Sequence, residues 1–253
     1  MPHVRAGAAS IHDPGAWRAE DRLAVGEHVW VLLSGTPNEA AGQNEADVAA
    51  PIAEALARAP DPPSTDEVIA RLAEMDRAVR AWELSAPAGD LFGTFLGVVA
   101  LVVDEHAVRI VHVGLPRAYR LTPAGALDPI AAQRLTIDHC LAEEASGARD
   151  PGLTERERGQ LPFLVTSSIG QSPIARIDTT HVPITKAARF VLTSRGAHAG
   201  LETPLGYLRE VRSPLECAQR ICAEARARAG ERPRHASAIV VDVDPESGEG
   251  PYR

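Results

Sequence analysis

An apolar run of strand length, Phe190-Val191-Leu192, leads into Ser194-Arg195-Gly196. Gly196 permits a tight turn directly after that run. A guanidinium at such a place keeps its charge at any working pH and cannot ligate a metal. What it can do is bind an anion. The other side chains able to do chemistry are the adjacent carboxylates Glu20 and Asp21, the imidazoles of His112, His139, His198 and His235, and Ser167-Ser168 ahead of Gly170. No HxH or HExxH spacing groups the histidines, so ordinary hydrogen-bonded imidazoles are expected. There is no GxSxG elbow, no GxxxxGK[ST] loop and no GxGxxG, and nothing ties Ser167 or Ser168 to a base. Cys140, Cys217 and Cys222 are odd in number and form no CxxC, so neither a disulfide framework nor a zinc site is suggested. The last two are expected on a helix as small hydrophobes.

Composition narrows the class. The chain has 253 residues, 45% of them apolar, enough for a substantial core. Its net charge of −8, with acids and bases interleaved, leaves no basic footprint for nucleic acid. No apolar run approaches the roughly 20 residues that span a bilayer, and the N-terminus lacks the apolar stretch of a secretory signal. A cytoplasmic protein, without nucleic-acid or membrane partners, is the expectation. Lys186 is the only lysine among 26 basic residues, a bias that fits a G+C-rich bacterial genome.

The elements that must position these groups follow in order. Residues 1–14 read as a flexible N-terminus, and His28 to Leu33 as a buried strand. Asn44 to Ala59 shows helical spacing of Val48, Ile52, Ala55 and Leu56, closed by Pro60, Pro62 and Pro63. Ser64-Thr65-Asp66-Glu67 supplies capping oxygens and first-turn acids for a second helix, with Val68, Ile69, Leu72, Met75, Val79 and Trp82 on one face. Strands are expected over Gly93 to Val103, Val108 to Val113 and Ala118 to Leu121, then a helix over Thr136 to Ala145. Strands over Ala175 to Ile184 and Arg189 to Thr193 follow. A helix over Pro214 to Ala229 uses Leu215, Ala218, Ile221 and Cys222, and Ser237 to Val243 is a closing strand. Trp30 and Trp82 take core-like positions, and Trp17 lies in a polar segment. Hairpins after two helices argue for an α+β layered fold, one domain over 15–244 with a polar tail at 245–253.

Phrases along this order resemble the PPM (type 2C) metal-dependent serine/threonine protein phosphatases. Arg18-Ala19-Glu20-Asp21 is similar to the family's "NNED", and HVWVLLSGTPNEAAG to "LLALADGMGGHAAG", with Gly35, Ala40, Ala41 and Gly42 kept. GTFLGVVAL is similar to "GTTLVAALI", VHVGLPRAYRL to "ANVGDSRAYLL" and LTIDHC to "LTKDHS". RFVLTSRG and RHASAIVVDV resemble "RFLLCSDG" and "DNVTVVVVDV". The resemblance implies a four-layer α-β-β-α sandwich, two mostly antiparallel sheets flanked by helix pairs. It also implies a two-metal site at the strand ends, held by aspartates, with a bridging water that attacks phosphate.

At the matching positions the aspartates are replaced. Ser34, Arg195 and Arg234 stand in three of them, with His235 beside the last, and Leu115 in a fourth. Ala16 stands where the family has a phosphate-gripping arginine, and Glu20 and Asp21 remain. The resemblance therefore implies a degenerate member: no metal cofactor, no catalytic residues, and a pseudophosphatase that acts by binding in a regulatory role. Its partner would be a protein such as a kinase, a phosphoprotein or an assembly, or a phosphate or phosphopeptide ligand. Arg195 and Arg234 would bind the anion, or else pair with Glu20 and Asp21 and fill the vacated space. The alternative is an active phosphatase with a displaced, atypical metal site built from Glu20, Asp21 and histidines. Asp138-His139 is expected to be a structural turn.

Overall fold

The computed structural model describes residues 1–12, 20–35, 44–85, 95–122, 131–145, 153–171, 174, 176–202, 205–208, 211–229 and 235–245. The expectations for Ala16, Trp17, Ala40 to Gly42, Arg234 and the tail from 246 onward lie outside them.

Strands β1 (His3–Ile11), β2 (Asp21–Val25) and β3 (Val29–Ser34) precede helices α1 (Glu45–Ala57) and α2 (Thr65–Ser85). Two hairpins follow, β4 (Gly97–Val103) with β5 (Ala107–Val113) and β6 (Arg117–Thr122) with β7 (Ala131–Arg134). Then come α3 (Leu141–Ala145), α4 (Glu155–Gln160), β8 (Asp178–Pro183), β9 (Ala188–Thr193), α5 (His198–Leu201), α6 (Pro214–Arg228) and β10 (Ala236–Asp244). They form two five-stranded sheets, ordered β1-β10-β9-β6-β7 and β2-β3-β4-β5-β8. The strand pairs are antiparallel.

Side-chain alternation sorts the residues into three apolar layers. Between the sheets lie Trp30, Leu32, Val99, Leu101, Phe190, Leu192 and Val241. Their neighbours in the same strands point outward. Val31, Val98 and Val102 meet α1 and α2, and Val191, Ala238 and Val240 meet α5 and α6. The four-layer α-β-β-α order is thus a consequence of strands that are apolar on both faces. Each fully buried Leu, Val or Phe contributes about 1.5–3 kcal/mol.

Helix starts are chemically marked. Asn44 caps α1 by accepting from Asp47 N–H, while Asp47 accepts from Asn44 N–H. Ser64 and Glu67 make the same reciprocal pair before α2, with the Ser64 amide donating at 2.6 Å.

Four expectations are corrected. The N-terminal segment is not loose over 3–11: β1 is an edge strand laddered onto β10, His3 opposite Asp244 through to Ile11 opposite Ala236. Its middle, Ala6-Gly7-Ala8-Ala9, carries only small side chains because α6 lies directly on it; a Cβ at Gly7 would come within 2.2 Å of the Leu215 nitrogen. β2 and β7 are further edge strands where none was expected. The helix expected over Thr136 to Ala145 shrinks to α3, because Thr136 accepts from Ala118 N–H at 3.1 Å and Asp138 is drawn into ion pairs. Leu215 is 47% exposed, and Cys217 fills the helix-core position beside Ala218, Ile221 and Cys222.

One buried ion pair ties the β1-β10-β9-β6-β7 sheet to its helix. Arg189, 2% exposed, donates from Nε to Asp242 Oδ1 at 2.6 Å and from Nη2 to Oδ2 at 2.9 Å. Its remaining protons reach the Val211 and Arg212 carbonyls just ahead of α6, at 2.9 and 2.6 Å. Removing one member strands a buried charge, whereas replacing both with apolar groups does not. Arg189→Met should therefore lower unfolding free energy by about 3 kcal/mol in urea melts, and Arg189→Met with Asp242→Leu should recover most of that loss.

Candidate functional site

The polar groups gather where strands end. Asp21 opens β2 directly opposite Ser34, the last residue of β3, and Gly35 N–H donates to the Glu20 carbonyl at 3.0 Å. Across the sandwich, Ser194 follows β9 and Ser237 lies in β10; Ser194 N–H donates to Ser237 O at 2.9 Å and Ser237 N–H to Ser194 Oγ at 3.0 Å. Ser10 of β1 shares a 2.7 Å hydroxyl contact with Ser237. Asp21 sits among these hydroxyls, 6% exposed. Burial pushes its carboxyl pKa up, while Ser237, Ser194, Ser34 and the charge of His12 pull the other way. Its Oδ2 has no hydrogen-bond partner among the described residues. His235 Nε2 is 3.4 Å from Glu20 Oε1, and its Nδ1 is 3.2 Å from His12 Nδ1.

Next to these strand ends is a cavity of about 240 Å³ whose lining includes Ser34, Gly35, Leu115 and Arg195. These four positions, expected together from the sequence, share one space. Glu20, Asp21 and His235 are at the adjoining strand ends. The guanidinium carbon of Arg195 stands 4.2 Å from the centroid of the Phe163 ring, a cation–π stack at the cavity wall. Ser168 also lines the cavity, and its hydroxyl has no hydrogen-bond partner among the described residues. No Asp or Glu is among the described lining residues.

The wall at Leu115 is built by a turn that only glycine makes cheaply. Gly114 has φ +90°, and a Cβ there would come within 2.8 Å of Gly97 Cα. Beyond it, Arg117 grips Asp138 with Nε at 2.8 Å from Oδ1 and Nη2 at 2.6 Å from Oδ2, and also pairs with Glu202. Arg134 donates to the same Asp138 Oδ1 at 3.0 Å. Asp138 thus anchors two arginines at once. Buried His198, pressed by its own desolvation and by Arg117, Arg134 and Arg195, stays neutral, its pKa well below the ordinary value.

His139 belongs to something the spacing of the sequence did not show. His112 of β5, His139 and Asp178 of β8 bring ligand atoms within 4.8 Å of one another. His112 and Asp178 are register partners across β5 and β8, and the His112 and His139 rings are 4.4 Å apart. His139 Nε2 faces Asp178 Oδ2 at 3.3 Å. Burial pushes His112 down to about 4 and also lowers His139, so both imidazoles are neutral at pH 7, the form a metal binds. Burial opposes the charge on Asp178, but its partners Arg176 and His139 outweigh that and hold its pKa low. The three come from separate elements, which is why HxH or HExxH spacing carried no sign of them; the convergence is visible only in the register of β5 with β8.

No family model matches the sequence, and no curated protein matches it. Solved structures do. PppA, a key regulatory component of T6SS in Pseudomonas aeruginosa, superposes with TM-score 0.73 at 18% identity, covering 95% of this chain and 98% of that one. The catalytic domain of the serine/threonine phosphatase PstP, in complex with two manganese ions, gives TM-score 0.67 at 20% identity over 96% of this chain and all of that one. The PPM Ser-Thr phosphatase MsPP from Mycobacterium smegmatis, in complex with cacodylate, gives 0.67 at 18% identity over 95% and 97%. The expectation that this chain takes no metal is overturned on two grounds: a protein of its fold holds two manganese ions, and its own His112, His139 and Asp178 form a group that could hold one. Lost aspartates and local histidine spacing carry no sign of ligands assembled by tertiary structure. At these identities the likeness shows the fold alone: this chain has the fold of the PPM-type serine/threonine phosphatases.

Proposed function

We propose that this protein is a phosphatase-like binding protein, a pseudophosphatase that engages a phosphorylated or otherwise anionic segment of a protein partner in a regulatory role. The observation that carries this reading is the cavity itself: it presents the Arg195 guanidinium, and no carboxylate is among its described lining residues. Hydrolysis of a phosphate ester needs an activated water and stabilisation of both attacking and leaving oxygens. Binding needs only fixed donors and a shaped wall. Arg195 supplies forked donors held in plane by Phe163. The apolar lining from Phe163 and Leu115 suits the body of a peptide more than a free inorganic ion. The regulatory component PppA, which shares the fold, favours a regulatory role here. This reading concerns turnover in the cavity and is indifferent to a metal held at His112, His139 and Asp178.

A second reading, an active phosphatase with a displaced metal site, draws on that same cluster.

Thermal melts in rising phosphoserine peptide separate binding from its absence. A saturable rise in Tm is expected, worth about 2.7 kcal/mol at a hundredfold excess over Kd, and Arg195→Ala should abolish it. No shift at millimolar peptide retires the binding reading. Turnover of p-nitrophenyl phosphate, assayed with manganese and with zinc, should stay at the blank rate. Turnover that disappears in Asp21→Asn or His112→Ala would instead establish the second reading.

A further inference from the structure

We propose that His112, His139 and Asp178 form a zinc site that clasps β5, β8 and the Asp138-His139 turn. It is a site separate from the strand-end positions of Asp21, Ser34 and Arg195.

The hydrogen bonds of His112 point to a missing ligand. Its Nε2 is 3.3 Å from the Gly114 carbonyl, so that nitrogen carries the proton and donates. Nδ1 is then a bare lone pair, buried, with no hydrogen-bond partner among the described residues. A ligating imidazole characteristically donates its other N–H to a backbone carbonyl or carboxylate, and His112 is already arranged in that way. Asp178 is oriented too: Arg176 donates to its Oδ1 at 2.8 Å and its Oδ2 at 2.6 Å, leaving further lone pairs on both oxygens. His139, fully buried, presents Nε2 to the same space.

His139 must rearrange slightly. Its Nδ1 now accepts from Gly114 N–H at 3.2 Å, which places the proton on Nε2. Zinc takes the place of that proton at Nε2; the proton moves to Nδ1, and the long Gly114 contact is given up. Gly114 loses no anchorage of its carbonyl, which accepts from His139 N–H at 3.0 Å.

The donor set selects the metal. Two neutral imidazole nitrogens and one carboxylate oxygen match zinc, whereas magnesium and calcium demand mostly oxygen ligands. Three protein ligands leave a fourth position for water, on the side where Asp178 is 30% exposed. The ion would brace the cavity wall, because Gly114 both touches the two imidazoles and lines the cavity.

The test uses the full chain, stripped with a chelator and titrated with zinc against a chromophoric competitor. One equivalent should bind at micromolar zinc or tighter. His112→Ala and Asp178→Asn should each weaken it by at least about tenfold, and Asp21→Asn should leave it unchanged. Cobalt added in place of zinc should give the intense visible absorption of a tetrahedral nitrogen–oxygen site, lost in the same two variants. Asp178→Asn, at a partly exposed position, keeps the test usable if His112→Ala does not fold. Absence of micromolar binding, or binding that survives both variants, or binding lost in Asp21→Asn instead, overturns the proposal.

Discussion

The central strands of both sheets are buried on both faces, and that constraint governs everything else in the molecule. A central strand such as β4 or β10 presents apolar side chains at successive positions, one to the opposing sheet and the next to a helix. A polar side chain on such a strand is tolerated only when its partners are supplied. Arg189 and Asp242 meet this condition with a forked pair and two carbonyls. Elsewhere polar groups are displaced to strand ends, so Asp21, Ser34, Ser194 and Arg195 come together because the interior excludes them. The site is the edge of the core.

The same constraint explains what the sequence disclosed. Strands β3, β4, β9 and β10 are continuous apolar runs because both faces are covered, and such runs are hard to miss. Helices α1 and α2 announce themselves through Asn44 and Ser64 and the acids three residues on. The unforeseen strands β1, β2 and β7 are all edges of their sheets. The residues of β1 and β7 are intermediate or exposed and joined to the sheet by backbone ladders, so HVRAGAASI and AAQR carry little pattern. The segment from Thr136 to Cys140 misleads for another reason: its side chains are spent on Ala118, Arg117, Arg134 and Asp178 rather than on a helix.

Site positions divide in a similar way. Ser34, Gly35, Leu115 and Arg195 were legible because each sits in a phrase that resembles one of the PPM phosphatases. The trio of His112, His139 and Asp178 was not, because its closeness depends on the register of β8 against β5 and on the path of the turn before α3. Gly114 joins the two groups. Its left-handed backbone turns Leu115 into the cavity wall while its amide and carbonyl face the imidazoles. One residue's backbone thus contacts both imidazoles and lines the cavity.

The ladder between β1 and β10 bears on how the molecule comes into being. Residues 3–11 find their partners at 236–244, so during synthesis the first strand waits for nearly the whole described chain to emerge. Until then the interior strand β9 also lacks one neighbour, and the sheet that carries Ser194 and Arg195 has an open flank. The sheet of β2, β3, β4, β5 and β8 has no such dependence, since its strands all lie within residues 21–183. Assembly is thus biased in order. One half of the sandwich can form early on the growing chain, and the half that brings the guanidinium to the cleft closes last.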